Sequence, residues 1–312
     1  MCQENAVDQS DVFRYTDKEL LSPRNLDILR RLRLIDDTFF AACFDNDPKL
    51  TEFVLRILLD KQDLNVMQAK TQYSIKNVSG HSAVLDALAT DEAGQLYNIE
   101  VQRANRGALP ERARYNGSLI DSRFFPKGED YSKLPKTYVI FLTEHDVIGD
   151  RLGIYHIERM VTETGKPFGD GSHIIYANAA CCDDSAFGQL MHDFLCADPK
   201  TMYYAELSRK TESYKAEEKG VRHMCQIIED AIREERKDIF RKGLEQGLEQ
   251  GLEQGLEQGL EQGRSEERAK AAQAAERNAL HMLADGLPVE RIVQYSGLPL
   301  ETVRRLAGLS AK

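Results

Sequence analysis

The chain has 312 residues, 42% of them hydrophobic, and a formal net charge of −10, which is length enough for a buried core plus a smaller extension. The acidic balance excludes a surface that attracts nucleic acid everywhere, so any DNA contact has to come from a local basic patch. No apolar run is long enough to span a bilayer and the amino terminus has no signal-peptide pattern, so no membrane association is expected and the expected location is the cytoplasm. Cys2, Cys43, Cys181, Cys182, Cys196 and Cys225 form no C-x-x-C pair and have no matching His spacing, which disfavours zinc and a disulfide framework.

Taken in order, residues 1–35 form a polar arm that acquires helical spacing and packs onto the core through DILRRLRLIDDTFFAACF. A helix follows, with Asp47 as its cap and Pro48 in its first turn. Leu50, Phe53, Val54, Ile57 and Leu58 repeat on one face of it. Residues 71–80, TQYSIKNVSG, alternate weakly and predict a strand that ends at a Gly80 turn. His81, just beyond, reads as a surface residue rather than part of a site.

LDALATDEAGQLYNIEVQ, from Leu85 to Gln102, predicts a β-hairpin. Its first arm is apolar except for Asp86. Its second sets Leu96, Asn98, Glu100 and Gln102 against Tyr97, Ile99 and Val101. Gly94 supplies the left-handed residue that closes a three-residue turn over Glu92, Ala93 and Gly94. That turn puts residues whose numbers sum to 186 opposite one another, so Asp86 faces Glu100 and Gln102 lies on the Glu100 side. Facing carboxylates destabilise a cross-strand pair unless a cation, a shared proton or water separates them. Two oxygen ligands without Cys or His suit Mg²⁺, with Mn²⁺ as the alternative; an exposed face with solvated acids is the other reading.

From Arg103 to Lys136, eight basic residues against four acidic ones give a net of +4, reversing the sign of the whole chain. Within it, Pro110 and ERARYNGSLID predict a helix with Arg112, Tyr115 and Leu119 along one face. Strands are predicted at 137–142 and 173–178. From Ser185 to Lys242 the pattern is helical, with Val221, Met224, Cys225, Ile228 and Ile232 at core spacing. GLEQ then repeats five times over 243–262 and is closed by Gly263. Each Gly costs a helix about 1 kcal/mol relative to Ala, while the Leu row turns by roughly 40° per unit, so a linker and an assembly helix that makes a homo-oligomer are both open. GLPVERIVQYSGLPLETVRRLAG predicts two short helices joined at Ser296-Gly297, readable as a helix-turn-helix or as a small helical cap.

Asp86 with Asn98-Ile99-Glu100-Val101-Gln102 resembles the D…(D/E)-x-K site of the PD-(D/E)XK nucleases, in the Gln-ending form of the transposase and recombination-promoting nuclease branch. GHSAVLDALA, ERARYNGSLID, GEDYSKLPKTYVIFL, FGQLMHDFLC and the GLEQ repeat resemble that branch in order and spacing. The resemblance implies an α/β fold with a restriction-endonuclease-like αβββαβ core and a helical C-terminal extension. The implied divisions are a core over 36–180, a helical extension over 181–242, the repeat over 243–263 and a tail over 264–312. It implies a DNA endonuclease with Asp86, Glu100 and Gln102 as catalytic residues, Asp86 and Glu100 as Mg²⁺ ligands, and Arg112 and Tyr115 as phosphate contacts. It also points to Glu52 as an extra helical carboxylate, although the helix dipole already accounts for an acid in a first turn. Gln102 stands where the family usually has Lys, which leaves a non-catalytic DNA-binding or assembly protein as the alternative.

Overall fold

The computed structural model describes residues 16–77, 80–104 and 107–308. The chain divides into two compact units, Met1–Arg233 and Glu234–Lys312. The first begins with helices α1 (Asp17–Leu20), α2 (Pro23–Arg31), α3 (Asp37–Phe44) and α4 (Pro48–Leu59). The α4 start follows its sequence signals: the Asp47 carboxylate accepts the Leu50 N–H at 3.0 Å and Pro48 takes the first turn. The DILRRLRLIDDTFFAACF segment forms α2 and α3 with a break between them rather than one continuous arm.

A six-stranded mixed sheet follows, in the order β1 (Val66–Ile75), β2 (Ala83–Asp91), β3 (Leu96–Gln102), β4 (Thr137–Thr143), β8 (Ser172–Asn178), β5 (Ile154–Ile157). β1, β2 and β3 are antiparallel, β3, β4 and β8 are parallel, and β5 returns antiparallel on the far edge. β1 starts five residues before the predicted strand and ends at Ile75. The short β5 and the small hairpin of β6 (Met160–Val161) and β7 (Lys166–Pro167) were not predicted, because two to four residues carry no readable period.

The hairpin has the predicted register. Ala87 pairs Ile99, Leu88 pairs Asn98, Ala89 pairs Tyr97 and Thr90 pairs Leu96. Gly94 closes the turn at φ +77°, the conformation that only glycine adopts freely, and its N–H donates to the Asp91 carbonyl at 3.1 Å. The parallel step from β3 to β4 requires a crossover, supplied by α5 (Pro110–Phe124). α5 therefore covers one face of β3, with Leu119 and Ile120 packed on Leu85, Leu88 and Leu96. The opposite face carries the main core, where Ala87, Tyr97, Ile99 and Ile140 meet Phe39, Phe40, Val54 and Leu55. β3 and β4 are thus buried on both sides.

α6 (Ala186–Leu195), α7 (Ala205–Lys215) and the first turns of α8 (Glu218–Ala284) add Leu190, Phe194, Leu207, Met224 and Ile228 to that same core. The GLEQ tract is helical throughout, as part of α8. In the second unit, α9 (Val289–Ser296) and α10 (Leu300–Leu306) enclose Ala279, Ile292 and Val303. Among the described residues no helix is long and apolar enough to cross a membrane.

Candidate active site

Because β3 is central, the Asn98, Glu100, Gln102 side lies under α5 instead of facing solvent. This corrects the reading of an exposed acidic face: Glu100 is 0% exposed and Asp86 9%. The Asp86 carboxylate accepts the Val101 N–H at 2.9 Å, which ties the first acidic strand to the second at the site itself. One Glu100 oxygen accepts from the Asn98 amide at 2.9 Å and the other receives the Arg112 guanidinium. Asn98 in turn accepts from Asn116 at 3.4 Å. Arg112 and Asn116 are one helical turn apart on α5, so a single helix face supplies both the cation and the amide that reach β3.

Burial pushes both acids up, Asp86 to about 6 and Glu100 to about 7. For Glu100 the neighbouring Asp86 charge is the next cause, while Asn98 and Arg112 oppose it. For Asp86 the Val101 N–H and Arg112 oppose the rise and Asp37 adds to it. These are the shifts expected of carboxylates removed from water without enough positive charge.

A cleft of about 350 Å³ opens at the carboxyl end of β3, lined by Ile35, Asp37, Asp86, Gln102, Arg103 and Arg112 among others. The structure therefore brings Asp86, Gln102 and Arg112 together, with Glu100 directly beneath. Gln102 is seated against Gly107: a Cβ there would lie 1.7 Å from the Gln102 Oε1. The Gly107 carbonyl also accepts from Arg112 at 3.0 Å, so this glycine holds the amide and the guanidinium side by side. On the rim, Arg103 pairs with Asp36 at 3.1 Å and with Glu144 at 3.2 Å, and Arg33 grips Glu144 at 2.9 Å.

Two candidates lie elsewhere. Tyr115 donates its hydroxyl to the His81 carbonyl and accepts from Asn77 at 3.3 Å, so it braces the β1–β2 connection and does not line the cleft. Glu52 is buried against Arg56 at 2.9 Å and the Val66 N–H at 3.0 Å, a structural role. The helical acid that does reach the cleft is Asp37, at the start of α3, which the sequence reading passed over. Asn98 and Asn116 were also missed; the signal for the first was its place two residues from Glu100 on a strand, and for the second its spacing from Arg112.

The donor set suits a hard divalent cation. Two acids are deficient in positive charge, one Asp86 oxygen has no protein donor among the described residues, and Asp37 and the Gln102 amide border the same space. The described residues contain no cluster of three or more His, Cys, Asp or Glu placed to hold a metal ion, so water would complete any coordination.

A central β3 flanked by a β2 acid, a crossover helix and a cleft at its carboxyl end defines a nuclease-like α/β protein. Residues 38–189 match the family model of the PD-(D/E)XK nuclease family transposases, and the core of this chain belongs to that family. No curated protein and no solved structure matches the chain.

Proposed function

We propose that the protein is a metal-dependent DNA endonuclease that hydrolyses phosphodiester bonds in the cytoplasm, in the service of recombination or a mobile element. The observation that carries this reading is the buried Asp86 and Glu100 pair, joined across one hairpin at the floor of a cleft and left short of positive charge. Asp86 and Glu100 would hold Mg²⁺ or Mn²⁺, which supplies a more acidic water and polarises the phosphodiester. Gln102 holds a water by its amide without adding charge. Arg112, released from Glu100, and Arg103 on the rim offer guanidinium groups to the phosphate. Asn98 and Asn116 keep Glu100 oriented. The family match, the free thiols among the described cysteines and the +4 balance over residues 103–136 support the same reading.

Plasmid cleavage with Mg²⁺, with and without chelator, tests it: chelator-sensitive nicking or linearisation is expected, and a folded protein that binds no divalent cation by calorimetry would overturn it. Two observations favour a second reading, a DNA-binding or assembly protein that keeps the fold without the reaction. Arg112 already places a positive charge on Glu100, and Gln102 replaces the family's Lys. In that case calorimetry with Mg²⁺ shows no binding and DNA affinity is indifferent to chelator.

A further inference from the structure

Beside the cleft, and sharing Asp37 with it, lies a second cavity of about 440 Å³. Its walls include Thr38 of α3, Thr71 and Gln72 of β1, Tyr214 at the end of α7 and His223 of α8. This volume falls within the range of small-ligand sites, roughly 300–1,000 Å³.

The lining selects by chemistry. Tyr214 and His223 present two rings with centroids 6.2 Å apart and planes tilted by 36°. Around them stand hydroxyls, the Gln72 amide, Asp37 and Asp45, with no Lys or Arg among the described residues of the wall. A phosphate would meet carboxylates there, whereas a neutral heteroaromatic ring finds aromatic surface and hydrogen-bonding groups. Tyr214 is held in place: its hydroxyl donates to the Ala42 carbonyl at 2.7 Å and its ring meets Phe39 edge-on at 6.3 Å.

Gln72 is conformationally unusual. It has φ +49° in the middle of β1, a left-handed conformation that residues with a Cβ avoid. Regular pairs flank it, Thr71 with Ala87 and Tyr73 with Leu85, so it stands at the register position beside Asp86. The kink is clamped from α3 and its C-cap: the Thr71 hydroxyl donates to the Ala41 carbonyl and to the Asp45 carboxylate, each at 3.1 Å. Glycine would hold this backbone without strain; with glutamine here the strained position carries an exposed amide on the cavity wall.

The geometry points to a nucleobase subsite: the cavity takes one unpaired base of a DNA strand whose backbone lies in the Asp86 cleft. Asp37 lines both spaces, so the two lie side by side at the start of α3 and a strand passing Asp37 reaches from one to the other. A protein built this way prefers duplexes with an extrahelical nucleotide, whose base is already out of the stack. This inference rests on the nuclease reading.

The test is fluorescence anisotropy with the full chain, in Ca²⁺ buffer to hold substrate uncut, comparing a perfect duplex, the same duplex with one bulged nucleotide, and one with an abasic bulge. Base stacking on aromatic side chains predicts about tenfold tighter binding of the bulged duplex, lost with the abasic bulge. His223→Ala and Gln72→Gly should each reduce the preference to about twofold or less while leaving perfect-duplex affinity unchanged. Equal affinity of the wild-type protein for bulged and perfect duplexes, or a preference that survives both substitutions, overturns the subsite. If the perfect duplex is bound and, in Mg²⁺, cut, the subsite alone fails. If no duplex is bound, the nuclease reading fails and the subsite with it.

Discussion

In β3, Glu100 has lost contact with water, whereas along residues 243–263 of α8 every leucine of the repeat is more than half exposed. The hairpin is specified by its surroundings: α5 lies on one face, α3 and α4 on the other, and Asp86, Asn98 and Glu100 each have a hydrogen-bond partner from another element. The repeat is specified by propensity alone, five glycines against Leu, Glu and Gln, with nothing packed within 4 Å of a Cβ built at any of those glycines. Identical reasoning from spacing thus has different force in the two regions. Where a strand is buried on both sides, one altered side chain changes chemistry and stability together; where a helix is bare, substitutions act through intrinsic preference or through a partner.

The largest effect is expected at the acids. Asp86→Asn and Glu100→Gln should each lower Mg²⁺-dependent cleavage by at least about a hundredfold, the upper loss seen even for outer-shell partners of a metal site, while the melting temperature holds or rises because like charges no longer face each other. Full activity in a folded Asp86→Asn protein would remove the metal-site assignment.

The second contrast is in pH. Both acids have folded-state values raised from the ordinary carboxylate range to about 6 and about 7. The native state therefore binds protons more tightly than the unfolded chain, and metal-free stability is greatest below about pH 4 in this contribution and declines as pH rises through 7. The expected loss is on the order of a few kcal/mol, smaller in Asp86→Asn, and restored by Mg²⁺ if the pair binds it. Arg112→Gln should sharpen the slope: it leaves Glu100 buried without its cation and costs about 3 kcal/mol at alkaline pH, but much less at pH 5, where Glu100 is protonated. Chemical denaturation across pH measures all three, and parallel curves for wild type and Arg112→Gln would dissociate Arg112 from Glu100.

Next in size is the Gln102 seat. Gln102→Leu should lower cleavage about tenfold and Gln102→Lys should preserve or raise it, on the scale of a lost polar contact to the reacting water. Gly107→Ala is expected to act like Gln102→Leu, because the added methyl takes the space of the amide. Steady-state cleavage rates that are equal in all of these proteins would take position 102 out of the site.

The repeat should respond least per residue. Replacing Gly247, Gly251 and Gly255 by Ala is expected to add about 1 kcal/mol of helix stability each without changing the cleavage rate. We propose that the leucine row contacts a second copy, so deleting residues 243–262 should halve the solution mass and shift plasmid products from linear toward nicked. An unchanged mass by light scattering would leave the tract as a spacer.

Much of this was legible in the chain, and unevenly. The hairpin register followed from Gly94 and a three-residue turn because local sterics decide it. Asp86, Glu100, Gln102 and Arg112 followed from period two, helical spacing and family resemblance together. What alternation did not reveal was depth: LYNIEVQ looks half-polar, and only the crossover helix, contributed by a later segment, shows that Asn98 and Glu100 are interior. Asp37 was obscured because an acid at a helix start has an ordinary explanation; Glu52 was discounted on that same ground, yet it lies beyond the first turn of α4 and is held instead by Arg56 and the Val66 N–H. Tyr115 shares a stretch with Arg112, yet its hydroxyl meets His81 and Asn77 in the connection that precedes the start of β2. The GLEQ tract is helical despite its glycines, a result that a per-residue ledger left open.

The bond from the Val101 N–H to the Asp86 carboxylate gives the site its own spectroscopic reporter. An amide proton donated to a carboxylate changes its chemical shift and its solvent-exchange rate when that carboxylate gains a proton or a ligand. A single ¹⁵N-labelled valine resonance, followed through a titration, reads the charge state of the cleft floor without substrate or turnover.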